Sequence, residues 1–390
     1  MIATRDAGRL GATAAFTTLL SVMLLPCASE PPPRRILVTL PTWVGDFVMS
    51  TPFLRAVRTH FPQAHVAWLA EANLQDIIAG MPWVNETFLL PPKQARAPWS
   101  PAFWRFLRRL RAARFDWAVL LPNSFRSALV ARLAGARRRI GYARDGRRFL
   151  LTDALPPKNR AGRRFTPLPL VEYYADLAEA IGCPRPDDRL QLFPTAEDES
   201  GLLKKLQHAG VLLNPPVIVL SPGARYGAAK CWLPERFAAV ADRLVRARGA
   251  TVLVTCGPGE EPIARAIRDH MTTSAVVFED PRLSLGETKA LIARANLLIC
   301  NDAGLRHFAR AFNVPVVTVF GPTHPEWTRT SYARERIVRI DVDCGPCQRR
   351  VCPLGHLKCM TGVTVDAVAD AAEALLDSGA QIPLCVAPRA

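Results

Sequence analysis

Short apolar runs of strand type alternate with amphipathic stretches of helical period, twice along this chain, and that regular exchange restricts it to a doubly wound α/β architecture. The first series opens at Arg35-Ile-Leu-Val-Thr-Leu40 and continues through apolar runs at 65–70, 87–90 and 116–121. Helical patterns lie between them at 73–80, 101–114 and 124–134. The second series has apolar runs at 217–220, 250–255, 295–300 and 314–320, with helices entered at Pro234 and Leu285. From 151 to 193 the pattern loosens around a helix at 170–181, and Pro194 and Pro216 punctuate the passage to the second series. The expectation is two Rossmann-like domains facing a central cleft, residues 34–195 and 217–377, joined by a linker over 196–216 that carries a polar helix.

Residues 1–33 stand apart as an N-terminal extension. Arg5 and Arg9 precede a largely apolar run from 14 to 27, as in the charged and hydrophobic regions of a signal peptide, and Pro31-Pro-Pro33 then breaks the chain. A signal, a membrane tether and an extension from an early start codon all fit this segment. No run elsewhere is long and apolar enough to span a bilayer.

The formal charge of +16 is segregated: residues 93–165 hold 19 Lys or Arg against three Asp, which is the whole excess. Such a surface suits an anionic partner, whether nucleic acid, a phosphorylated ligand or an acidic membrane. The helical stretch at 101–114 sets Trp104, Phe106, Leu107 and Leu110 among Arg105, Arg108, Arg109, Arg111 and Arg114. Cys183, Cys231, Cys256 and Cys300 are scattered, as expected of reduced thiols. Cys344, Cys347, Cys352 and Cys359 instead form a Cys-rich loop over 344–359 with spacing C-x2-C-x4-C-x6-C and His356 inside it. That spacing is compatible with tetrahedral zinc, with a redox role and with plain loop packing.

Ligands of open α/β sheets sit at the carboxyl ends of strands, where four loops of this chain draw notice. Gly45-Asp46 follows the first strand. Residues 221–230 carry Gly223, Arg225 and Lys230; Gly257-Pro-Gly259 leads to Glu260; Asp302-Ala303-Gly304 precedes His307. Glycines and backbone N–H groups beside a lysine are the means to hold a diphosphate. No Gly-x-Gly-x-x-Gly follows the first strand and no Walker pattern is present, so a dehydrogenase or a P-loop enzyme is disfavoured.

Five motifs in order carry a resemblance. Gly45-Asp-x-x-x-x-Thr-Pro52, Pro222-Gly-Ala to Ala229-Lys-Cys-Trp232, Pro281-Arg-Leu-Ser-Leu285, Asn301-Asp-Ala-Gly to His307, and Phe320-Gly-Pro-Thr323 together resemble glycosyltransferase family 9. This family contains the ADP-heptose:lipopolysaccharide heptosyltransferases, and the cysteine segment is similar to heptosyltransferase II. The resemblance implies a GT-B fold and an inverting transfer of heptose from ADP-heptose to the inner core of lipopolysaccharide, a phosphorylated glycolipid acceptor. It places the catalytic base on Asp46 and the diphosphate-contacting lysine on Lys230. The phosphate turn falls on Asp302, Ala303 and Gly304 with His307 behind, the adenine neighbour on Leu283, and a ribose-contacting acid on Glu260 or Glu261. Gly223, Arg225 and Gly257 complete the expected donor site.

Two positions depart from the family pattern: Arg225 replaces an acidic or hydroxyl residue, and Ala303 replaces Ser or Thr. The implied chemistry calls for no cofactor and no metal, since Lys230 and a helix start at Gly304 would hold the charge of the leaving diphosphate. A monomer working at the cytoplasmic face of the inner membrane, on its anionic surface, is the accompanying expectation. The competing readings are a transferase of another nucleotide sugar and a basic nucleic-acid-binding protein. Against the latter, no stacking-aromatic sheet motif accompanies the arginines.

Overall fold

The computed structural model describes residues 31–378, apart from 98, 159, 162, 163, 212, 214 and 215. Residues 1–30 of the expected extension, and 212, 214 and 215 of the expected linker, lie outside the described residues.

Six parallel strands form the first sheet: β1 (Arg35–Thr39), β2 (His65–Ala70), β3 (Glu86–Leu89), β4 (Trp117–Leu120), β5 (Arg138–Tyr142) and β6 (Asp153–Leu155). Their order is β3-β2-β1-β4-β5-β6. A small antiparallel pair, β7 (Arg160–Ala161) and β8 (Arg164–Phe165), follows. The second sheet contains β9 (Val217–Ser221), β10 (Thr251–Thr255), β11 (Val276–Phe278), β12 (Leu297–Asn301), β13 (Val316–Val319) and β14 (Glu335–Val338). Its order, β11-β10-β9-β12-β13-β14, repeats that of the first, and it too is parallel. The order reverses between β1 and β4 and again between β9 and β12, and a ligand crevice opens at such switch points.

Helices accompany both sheets. The first half has α1 (Val44–Met49), α2 (Thr51–His60), α3 (Gln75–Ile78), α4 (Pro101–Ala112), α5 (Phe125–Leu133) and α6 (Leu170–Ala180). After α7 (Ala196–His208) come α8 (Pro234–Arg248), α9 (Glu261–His270), α10 (Leu285–Ala293), α11 (Arg306–Ala311), α12 (Lys358–Thr361) and α13 (Val365–Asp377). The central strands are buried on both faces, which is why Ile36, Leu37, Val38, Val219, Leu220, Leu298 and Ile299 form unbroken apolar runs. Ser124 caps α5 by accepting the Ser127 N–H, and Thr195 with Asp198 and Ser284 with Glu287 form capping boxes on α7 and α10.

The junction between the halves is buried and charged. Helix α7, inside the segment expected to link the two halves, packs along α10, with Lys205 paired to Glu287 at 2.7 Å. Lys289 of α10 is fully buried; its ammonium meets Asp198 at 2.9 Å and donates to the carbonyls of Asp76 and Ala79, at 3.1 and 2.9 Å. One apolar cluster runs through both halves, from Phe47 and Phe53 to Leu298 and Phe308.

Helix α4 divides by face. Leu107 and Leu110 are buried on the sheet, whereas Arg105, Arg108, Arg109 and Arg111 are exposed and Trp104 is 47% exposed. Among the described residues no helix is long and apolar enough to cross a membrane.

Candidate active site

The turn after β1 delivers Gly45 and Asp46 into the first turn of α1, and α1 packs directly on α11 of the other half. A Cβ built on Gly45 would stand 3.1 Å from His307 Cδ2 and 3.3 Å from Gly304 Cα. The expected base and the expected phosphate turn therefore meet backbone to backbone across the halves. Asp46 is half-buried, and that burial pushes its carboxyl up to about 6, an effect the Lys230 charge partly offsets. Tyr174, buried beside it, has its phenol pushed well up by burial and by the Asp46 charge.

Lys230 comes from the loop after β9. Its ammonium bonds the Asp302 carboxylate at 2.5 Å and the Asp302 carbonyl at 3.1 Å, and lies 4.7 Å from the centre of the Tyr226 ring. Burial alone would raise the Asp302 carboxyl, but Arg306, Lys230 and hydrogen bonds from Lys230 and Thr323 outweigh it and hold the group below its ordinary value. Arg306 donates to its other oxygen at 3.1 Å, and Thr323 donates at 2.7 Å. The carboxylate thus keeps Lys230 oriented.

Behind this pair lies a buried ionic layer. Arg306 and Arg310 both pair with Glu335, and Arg310 donates to His307 Nδ1 at 3.4 Å. His307 is driven well below its ordinary pKa by burial and then by Arg310, Arg306 and Lys230, so its ring is neutral. With Nδ1 facing an obligate donor, the ring proton resides on Nε2, which lies 3.6 Å from a Cβ built on Gly45. Helix α11 itself starts at Arg306, two residues beyond Gly304, and the N–H groups of Arg306 and His307 already bond the carbonyls of Ala303 and Gly304. The helix start expected at Gly304 is therefore displaced, and the turn Asp302-Ala303-Gly304 precedes it as a separate piece.

The remaining expected residues divide into two groups. Gly223, Gly257 and Glu260 converge: Glu260 accepts the Gly257 N–H at 2.8 Å, and its carboxylate fills the space where a Cβ on Gly223 would stand, 1.9 Å away. Glu261 is engaged by Arg282. Arg225 is exposed at the tip of the 221–230 loop, and Leu283 is half-buried against the apolar cluster.

Sequence reasoning named Asn301 without giving it a part. Its side chain is fully buried, donating to the Pro222 carbonyl and accepting the Trp232 N–H at 3.1 Å, so it brackets both ends of the Lys230 loop. Tyr226 was missed altogether, since an aromatic inside a glycine-alanine loop gives no periodic signal; its hydroxyl donates to the Gln348 carbonyl at 2.7 Å.

The family model described as Glycosyltransferase family 9 (heptosyltransferase) matches residues 103–358. Lipopolysaccharide heptosyltransferase 2 of Escherichia coli (strain K12) is 30% identical over 351 residues, covering 88% of this chain and 98% of that protein. Lipooligosaccharide heptosyltransferase 2 of Haemophilus influenzae is 29% identical over 313 residues, covering 78% of this chain and 88% of its own. The solved structure of E. coli ADP-heptose lps heptosyltransferase II superposes with a TM-score of 0.72 at 27% identity, covering 88% of this chain and 99% of that one. The paired sheets are those of a GT-B fold, and the chain belongs to glycosyltransferase family 9, the heptosyltransferases.

Proposed function

We propose that this enzyme transfers heptose from ADP-heptose to a hydroxyl of the lipopolysaccharide inner core, with inversion at the anomeric carbon. One observation carries the reading: a carboxyl of the first half, raised to about 6, sits at the contact with the second half and feels the lysine there. A base near that value is ionised at neutral pH yet takes up a proton far more readily than an ordinary carboxylate. Asp46 accepts the proton of the acceptor hydroxyl as that oxygen attacks. ADP departs from the opposite face, and Lys230 answers the charge that grows on its diphosphate.

The ligands of Lys230 fit this part. Asp302 takes two of its three protons and Tyr226 lies under it, which leaves one ammonium proton for a phosphate. Glu260, poised between Gly223 and Gly257, and Leu283 serve the ribose and adenine in this reading, with Ala303, Gly304 and His307 lining the phosphate side and Arg225 at the entrance.

The acceptor is a phosphorylated glycolipid, so the basic first half would face the anionic inner membrane at its cytoplasmic side, and one chain, with both halves of the cleft, suffices as a monomer. The exposed arginines of α4 support that orientation. The test is incubation with ADP-heptose and a panel of truncated lipopolysaccharide cores, read by mass spectrometry. A heptose mass added to one core is expected; transfer from another nucleotide sugar with ADP-heptose inert would overturn the donor assignment.

A further inference from the structure

Four cysteines that the transfer chemistry does not use surround one small cavity. It has a volume of about 20 Å³, and Cys344, Cys347, Cys352, Cys359 and His356 line it together with Ala229 and Pro322 of the donor-side loops. A void of this size takes one atom-sized guest, a water or an ion. The side-chain donors on its wall are sulfur and imidazole, which favour a soft, zinc-class cation over water. All four thiols are free.

The hydrogen bonds sort these donors. His356 Nδ1 accepts the Lys358 N–H at 3.0 Å, which leaves the ring proton on Nε2, 4.0 Å from Cys344 Sγ. The imidazole is thus set to donate toward a sulfur rather than to bind an ion. A donor aimed at sulfur in this way is the outer support that thiolate-held metals use. Among the described residues no three donors are already drawn to ligand geometry, so the thiols must turn inward on the ion.

We propose that Cys344, Cys347, Cys352 and Cys359 form a four-thiolate site for a single structural ion of the zinc class, with His356 donating to Cys344. Four protein ligands leave no open position, so the ion takes no substrate and stands outside the transfer step. Its effect is mechanical. The cysteine segment is fastened to the Lys230 loop, with the Ala229 N–H donating to the Arg350 carbonyl at 3.1 Å and Tyr226 to Gln348. The Gln348 N–H in turn donates to the Pro322 carbonyl at 2.8 Å, and a Cβ on Gly227 would stand 2.4 Å from the Arg350 oxygen. An ion that fixes segment 344–359 therefore fixes the loop that presents Lys230.

Metal analysis of the full chain, purified anaerobically without chelator from cells supplied with both zinc and iron, tests this. About one ion per chain is expected to stay bound through gel filtration, and whether it is zinc or iron is read directly. Cobalt(II) added to metal-free protein should give the sulfur-to-cobalt absorption of a tetrahedral thiolate site. Cys344→Ser and Cys352→Ser should lose the ion and raise the donor KM more than they lower kcat, whereas Cys256→Ser keeps it. Wild-type protein that holds no metal and gives no cobalt band overturns the site, as does a Cys344–Cys347 disulfide in the anaerobic preparation. Both readouts are independent of transfer, so wild-type protein that moves heptose but neither retains metal nor gives the cobalt band sinks the site alone, and metal-loaded protein that moves none sinks only the proposed function.

Discussion

Gly304 and Gly45 face each other across the two halves so closely that a methyl group on Gly304 would stand 3.1 Å from the Gly45 nitrogen. Asp46 is the next residue along, so the spacing of these two backbones sets how near the proposed base comes to Lys230 and the turn at Gly304. Gly304→Ala should push the halves apart by a few tenths of an ångström and lower kcat/KM by about tenfold to a hundredfold, since small misplacements act steeply on transfer. Unchanged activity together with an unchanged melting temperature would show that the contact is slack.

Asp46→Asn should bind ADP as the wild type does while losing about a hundredfold to ten-thousandfold in kcat, the usual share of a general base. Activity within about threefold of wild type would remove Asp46 from that role. The wild-type rate should fall in acid with an apparent pKa near 6. Stability moves the other way. Because the folded pKa lies above the ordinary 3.8, the protonated carboxyl favours the folded state, and that advantage is lost as pH rises from 3.8 to about 6. Asp46→Asn, neutral throughout, should therefore melt higher than wild type at pH 8 and show little gain at pH 4.

Lys230→Ala removes the cation proposed to meet the diphosphate and leaves Asp302 buried with one cation fewer. ADP affinity measured by calorimetry should drop by about 1.5–3 kcal/mol, the range for hydrogen bonds to charged groups. Equal affinity in the variant would mean that the diphosphate lies elsewhere.

Reversal of Arg105, Arg108, Arg109 and Arg111 to Glu tests the basic face of α4. Each nearby cation contributes about 1 kcal/mol at an anionic surface, so binding to phosphatidylserine-rich vesicles should collapse while ADP affinity stays as it was. A variant that still sediments with vesicles at low salt would place the attachment outside this helix.

The architecture was legible because central strands of a parallel sheet must be apolar on both faces, as in Val217–Ser221 and Leu297–Asn301, and the site loops follow from strand ends. Strands β5, beside the edge strand β6, and β14, at an edge, were not. β5 begins Arg138-Arg139, charges that read as loop, yet Arg138 lies over the Trp117 ring at 4.8 Å and pairs with Asp153, while Arg139 bonds the carbonyl of Leu150. β14 hides in the same way, its Glu335 turned inward to Arg306 and Arg310. Asp46 and Lys230 were recognisable by position, but Asn301 and Tyr226, which fix the Lys230 loop, do so through Pro222, Trp232 and Gln348, contacts distant in sequence that no local pattern announces.

Lys289 gives the junction a mechanical character. Separating α10 from α3 would carry a buried ammonium away from two carbonyls, whereas Gly45 and Gly304 meet by packing. The two contacts thus resist separation by different means, one by charge and hydrogen bonds and the other by packing. A rotation of the halves about the Lys289 corner would keep those bonds and widen the space beside the glycines, as a door turns on its pin.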